Sequence, residues 1–280
     1  MHSTRSHLNA LLRILIDRHK NILIVFYLCT AEKSMYVDKS KMEFQVQPHL
    51  GVSRGEVAER VLIPGDPDRA KIISDFLSER KPIGGRRCFN GFTGRYKDRE
   101  ISVMPTHMGG PSAAIAVEEL IRAGAKYLIR VGTCGAVQKD VEVGDLIIAL
   151  SAVPDDGTSR SYVNFEPFCP TASFKVVNAI IKAAELEKVR YHVGVVRSSD
   201  AFYAEDPDTI KKWERRGILA FEMEDAAIFT VAMLRGINAG AIHLVNGNLV
   251  RGVQFAPEDE LKGHLEKAIR VALEAACMLS

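Results

Sequence analysis

The chain has 280 residues, and its 37 basic and 35 acidic side chains leave a formal charge of only +2. That balance gives no electrostatic grip on nucleic acid or on an anionic membrane, so neither is expected as a partner. Apolar residues at 47% and charged ones at 26% exclude a disordered or fibrous chain and can fill a large core.

Near the N-terminus, the run Asn21–Ala31 is apolar and follows Arg18, His19 and Lys20. It is shorter than the roughly 20 residues a membrane span needs. As a leader it lacks a good cleavage region, since Glu32-Lys33-Ser34 follows. Residues 1–41 therefore read as an extension outside the core, with Met35 and Met42 as alternative starts, and 42–280 as a single domain. The five cysteines, Cys29, Cys88, Cys134, Cys169 and Cys277, are scattered, odd in number and free of any C-x-x-C. That pattern fits neither a disulfide framework nor a structural zinc site, and points to a reducing cytoplasm.

From Arg60 onward, short apolar runs predict strands at Val61–Ile63, Glu100–Met104, Tyr127–Val131, Asp145–Leu150, His192–Arg197 and Ala239–Val245. Between them helices are predicted at Ser112–Ala123, Phe174–Leu186 and Glu222–Leu234, the last stopping at Gly236. A final helix starts at Pro257-Glu258-Asp259 and carries Leu261, Leu265, Ile269, Ala272, Leu273 and Ala276 on one face. Such alternation predicts an α/β fold, a central sheet flanked by helices.

Three motifs carry chemistry. Ile63-Pro-Gly-Asp-Pro-Asp-Arg69 follows a strand and ends in arginine at a helix start. Bare amides, a helix N-terminus and a guanidinium are the parts of an anion site, although a plain strand-to-helix turn with a surface arginine would look the same. Arg130 lies inside the apolar run Leu128–Val131, where burial is expensive unless it meets an anion or a structural partner. Gly132, Thr133 and Gly135 then predict a tight turn with exposed donors at the strand end. The glycine spacing matches neither a dinucleotide fingerprint nor a Walker loop. Third, Glu222-Met-Glu-Asp225 places carboxylates beside a methionine at the start of a helix. Helix-dipole stabilisation alone explains acids there, but a carboxylate also accepts both hydroxyls of a vicinal diol.

Together these stretches resemble the nucleoside phosphorylase-I family, which contains the hexameric purine nucleoside, uridine and methylthioadenosine phosphorylases. The matching segments are Pro48–Gly51, Pro64–Arg69, Gly109–Leu120, Arg130–Ala136, Ser198–Tyr203 and Phe221–Glu224, in family order. The resemblance implies the family's mixed sheet and phosphate-dependent cleavage of a glycosidic bond, with no metal and no cofactor besides the co-substrate phosphate. It implies phosphate binding by Gly65, Arg69, Arg130 and Thr133, joined by Arg87 (with Arg86 as fallback) from a neighbouring subunit. The ribose would rest on Met223 and Glu224, with His49 reaching across a dimer to its 5′ end. The base would lie among Cys134, Gly135, Phe202, Glu222, Asn246 and Asn248, and Arg69, Arg130 and Glu224 would carry the catalysis. Sites shared in this way imply a dimer unit and a hexamer of three such units. Two or three converging arginines also favour phosphorolysis over hydrolysis by water.

The resemblance divides over the base. Purine-specific members carry an aspartate where this chain has Gly247 in Val245-Asn-Gly-Asn248, and glycine cannot be a general acid. Uridine phosphorylases share the Val-Asn strand end but read uracil from an insertion that the short Ala204–Trp213 stretch lacks, a stretch closer to methylthioadenosine phosphorylases. Asn246, Asn248 and Arg251 are polar candidates by position. The expectation is a uridine phosphorylase, with a purine nucleoside or methylthioadenosine phosphorylase as the alternative and a non-catalytic nucleoside-binding protein as the rival from another class.

Overall fold

The computed structural model describes residues 43–280 and two short strands before them, β1 (Leu15–Ile16) and β2 (Leu23–Ile24), paired antiparallel. The chain separates into two units, Met1–Glu43 and Phe44–Ser280. Expectations for residues 1–41 otherwise fall outside the described residues.

The second unit is built on a nine-stranded mixed sheet. Its strands are β3 (Arg60–Pro64), β4 (Ser78–Gly84), β5 (Asn90–Tyr96), β6 (Arg99–Val103), β7 (Tyr127–Ala136), β8 (Leu146–Asp155), β9 (Tyr191–Ser199), β10 (Ala220–Glu222) and β11 (Asn238–Asn248). They lie in the order β10-β9-β8-β11-β7-β3-β6-β5-β4, and β10 pairs with β7 as well as β9. The helices are α1 (Pro67–Ser74), α2 (Gly110–Ala123), α3 (Gly157–Tyr162), α4 (Phe174–Leu186), α5 (Pro207–Glu214), α6 (Asp225–Arg235) and α7 (Glu258–Met278). This is the α/β fold with a mixed sheet that the alternation predicted.

Side-chain alternation along β11 assigns the helical layers. Gly240 lies against Val176 and Ile180 of α4. Three residues on, His243 points to the opposite face and reaches Asp225 of α6. The central strands are covered on both sides, which is why Leu146–Ala149 reads as an unbroken apolar run and is fully buried. Hydrophobic burial of this kind supplies about 25 cal/mol per Å² of apolar surface removed from water.

Local signals set the helix ends near the site. Asp66 caps α1 by accepting the Asp68 amide at 2.9 Å, with Pro67 in the first turn. Gly236 ends α6 at φ 68°.

Two expectations are corrected, and one hairpin was not predicted. No tight turn follows Val131: β7 continues through Gly132, Thr133, Cys134 and Gly135 to Ala136, parallel to β11. Within the strand, position 132 takes glycine because a Cβ there would collide with the His243 imidazole. The helix predicted from Glu222 begins at Asp225, since Ala220–Glu222 is spent as β10. The β4–β5 hairpin carried no apolar alternation to read, because in β4 only Ile83 is buried.

Candidate active site

The carboxyl end of β3, the middle of β7, the β10–α6 junction and the start of α2 meet around Arg130. Its side chain is 4% exposed and its carrier strand is apolar, so its charge must be met by protein groups or by ligand. Nη2 is paired with Glu224 Oε2, and Nη1 donates to Thr106 Oγ1 at 3.2 Å. Nε faces Asp225 Oδ1 at 3.7 Å. Gly65, at the end of β3, lies against the same guanidinium: a Cβ on Gly65 would sit 3.4 Å from Arg130 Nη2.

Arg69, on the first turn of α1, comes to the same place. Its Nη1 donates to the Val131 carbonyl at 3.2 Å. Burial, then the nearby Arg130 charge, pushes its pKa down. Two guanidinium groups brought together on partly dry ground make an oxyanion site, because an anion between them relieves the repulsion and satisfies their free N–H groups. Thr133, half-buried on β7, stands three residues beyond Arg130.

Glu224, at 4% exposure, precedes α6 and bridges to α2, where its Oε1 accepts the Gly109 amide at 2.7 Å. Met223 beside it is half-buried. A carboxylate and a thioether at one corner can accept a diol and pack against a sugar ring. Phe202, 40% exposed just past β9, stacks on Phe255 with centroids 6.1 Å apart. The Cys134 thiol is buried and pushed well up by that burial, so it is no nucleophile.

Other expected residues are placed differently. Asn248 is 1% exposed, and its Nδ2 donates to the carbonyls of Gln138 (2.9 Å) and Val141 (2.8 Å). Its side chain ties β11 to the loop after β7, which corrects the expectation that it reads the base. Glu222 is likewise a frame residue. It accepts the Ser198 hydroxyl and the amides of Glu224 (2.7 Å) and Asp225 (2.8 Å), so its carboxylate is turned to β9 and the start of α6. Arg251 is exposed and bonded to Glu142 at 2.7 Å and 2.9 Å. Asn246 is half-buried, and its carbonyl holds the Ala256 amide at 2.7 Å. His49 is anchored on Glu119 of α2. Arg87 is exposed at φ 51°, while Arg86 packs on Gly51.

Position 247 has a reason to be glycine. The backbone carbonyls of Val253 and Gln254 fold back onto it, the former 2.7 Å from where a Cβ would be. No acid fits there while that loop is docked.

Two buried residues escaped sequence reasoning. Asp225 looked like a helix-start acid, and His243 sat unnoticed in Ala241–Val245. Both are fully buried and joined at 2.7 Å. The signal was the one used for Arg130: an ionisable side chain inside an apolar run. Glu222, Asp225 and His243 bring ligand-type atoms within 4.8 Å of one another. They need no metal to balance their charge, because the Arg130 guanidinium already stands 3.7 Å from Asp225 Oδ1 and three protein donors already point at Glu222.

An open cleft of about 660 Å³, lined by Pro111, Gly157, Thr158, Ser161, Tyr162 and Asp200, lies at the start of α2 and α3. Asp200 is its one charged lining residue, which gives this cleft no cationic grip on an anion.

Gly65, Arg69 and Arg130 beside the buried Glu224 carboxylate, at the carboxyl ends of strands in a mixed sheet, have the chemistry to hold an oxyanion next to a diol. The model of the Phosphorylase superfamily matches residues 59–278, and the chain belongs to that family. It is 40% identical to a guanosine phosphorylase of Halorubrum lacusprofundi over 240 residues, covering 83% of this chain and 99% of the other. It is 41% identical over 231 residues to a DeoD-type purine nucleoside phosphorylase of Caldanaerobacter subterraneus subsp. tengcongensis, covering 81% and 99%. The crystal structure of uridine phosphorylase from Vibrio fischeri ES114 superimposes with a TM-score of 0.76 at 35% identity, covering 83% and 97%. The protein is thus an enzyme of the nucleoside phosphorylase class.

Proposed function

We propose that this enzyme cleaves uridine with inorganic phosphate to uracil and ribose-1-phosphate. Gly65, Arg69, Arg130 and Thr133 hold the phosphate, and Arg87 of a second copy completes its shell. Glu224 accepts the ribose diol over Met223, His49 of a second copy meets the 5′ end, and the base stacks on Phe202 near Cys134, Gly135 and Asn246. As the glycosidic bond breaks, positive charge builds on the sugar. A phosphate dianion held by arginines stabilises it and then attacks C1′, so the protein acts through positioning and preorganised charge. Phosphate is a co-substrate and no further cofactor takes part. The four described cysteines are unpaired, in keeping with a reducing cytoplasm.

The observation that carries phosphorolysis is the meeting of Gly65, Arg69 and Arg130 beside Glu224. Uridine is favoured because no acid can stand at Gly247 and uracil leaves as a stabilised anion without one. A 6-oxopurine nucleoside such as guanosine is the second reading, favoured by the 40% identity to a guanosine phosphorylase.

The test is base release from uridine, guanosine, inosine, adenosine and methylthioadenosine, with and without phosphate. Phosphate-dependent uracil release supports the first reading and faster guanine release the second. No release from any of them returns the chain to a nucleoside-binding protein.

A further inference from the structure

Glu224 has two claims on it. In the structure its Oε2 neutralises Arg130 Nη2, yet the proposed function, on which this inference rests, needs the same carboxylate for the ribose diol. If the diol takes Glu224, Arg130 loses its direct partner while itself only 4% exposed, where an unpaired charge is costly.

A replacement stands next to it. Asp225 Oδ1 lies 3.7 Å from Arg130 Nε. Neither atom has a hydrogen-bond partner, and both are buried. A hydrogen bond of ordinary length, about 2.9 Å, needs a shift of roughly 0.8 Å. The other Asp225 oxygen is fixed by His243 Nε2 at 2.7 Å, so the carboxylate is aimed. Thr106 Oγ1 meanwhile anchors Arg130 Nη1, leaving Nη2 as the corner that must change partners.

We propose that Asp225, held by His243, takes over Arg130 when the ribose draws Glu224 away, so that nucleoside binding frees Nη2 for phosphate. The hand-over couples the two substrate sites: each ligand strengthens the other by the same factor. Asp225 and His243 are positioning residues that touch neither substrate. They answer why two carboxylates flank one arginine.

The test uses the full chain at pH 8 and sulfate, an unreactive oxyanion of phosphate's shape. Its affinity for free enzyme comes from calorimetry, and its affinity in the presence of saturating nucleoside comes from inhibition of turnover against phosphate. In wild type, nucleoside is expected to tighten sulfate about tenfold. In Asp225→Asn, sulfate binding to free enzyme should stay within about twofold while the tightening disappears. His243→Ala should lose it too. His243→Gln, whose amide can still donate to Asp225, should keep most of it.

Equal sulfate affinity with and without nucleoside in the wild type overturns the proposal, whatever the variants do. So does Asp225→Asn or His243→Ala that is folded, by circular dichroism, and keeps the coupling. If wild type releases no base at all, the functional reading has failed instead; release without coupling sinks only the hand-over.

Discussion

Glu119 of α2 grips the segment around His49 with one carboxylate. Its oxygens accept the His49 amide at 3.1 Å, the Leu50 amide at 2.8 Å and the His49 ring Nδ1 at 2.5 Å. Glu119 is itself 2% exposed, so the imidazole projects from a rigid mount.

Glu119→Ala leaves the buried Leu50 amide without an acceptor and is expected to cost about 1–3 kcal/mol in a denaturant titration. If His49 serves a second copy's site, His49→Ala and Arg69→Ala should each be nearly inactive alone when phosphate is held well below the raised KM of the Arg69 variant. Mixed after denaturation and refolding, they should recover about a quarter of wild-type activity, because one site in each mixed pair is then intact. Absence of recovery places His49 in its own chain's site or in none.

Arg69 and Arg130, proposed to hold one anion, differ in what their loss exposes. Arg69→Ala, half-buried, should raise the phosphate KM roughly 10- to 100-fold, as loss of charge-assisted hydrogen bonds does, with stability nearly unchanged. Arg130→Ala strands Glu224 and Asp225 as buried acids, adding a stability loss of about 3–5 kcal/mol. Thermal denaturation beside phosphate-saturation kinetics separates the two outcomes. Equal melting temperatures would remove Arg130 from its structural role.

Gly247→Asp is the substitution that would imitate the purine enzymes. The carbonyls of Val253 and Gln254 occupy the space, so the variant should lose about 1–3 kcal/mol as overpacked sites do, and gain no rate on inosine. A faster purine reaction at unchanged stability would mean that the 249–256 loop moves aside readily.

The acid cluster gives a pH dependence. Burial, with Asp225 and Glu224 adding repulsion, pushes Glu222 up to about 8. Burial pushes Asp225 up to about 7 and His243 down to about 4. Between about pH 6.5 and 8 the native imidazole is neutral, while the unfolded one, with its ordinary value of 6.5, releases at most roughly half a proton, a smaller and opposing change. The native carboxyls still hold protons there that the unfolded chain, with ordinary values of 4.5 and 3.8, has released. The native state binds more protons, so stability falls as pH rises through this window. Melting temperatures measured from pH 6.5 to 8.5 should decline, and the decline should be shallower in Asp225→Asn.

What could be read before folding was whatever a short window contains. Leu128–Val131 announced a strand because both its faces are buried, and the helix Phe174–Leu186 was bounded by its own apolar period. Arg130 stood out because burying a guanidinium in such a run needs a partner. The partners were not in the window. Glu224 lies 94 residues from Arg130 and Glu119 lies 70 from His49.

The sequence by itself determined the layered α/β class, the strand cores and the residue types of the proposed oxyanion and diol groups, since propensity, period and charge act locally. Only the tertiary structure decided that Asn248 faces a loop, that Glu222 closes the frame, that Gly247 lies beneath two carbonyls, and that His243 backs Asp225 behind Arg130. Each depends on which strand lies beside which. On β11 a one-residue change of register would turn His243 to the α4 face and undo its bond to Asp225.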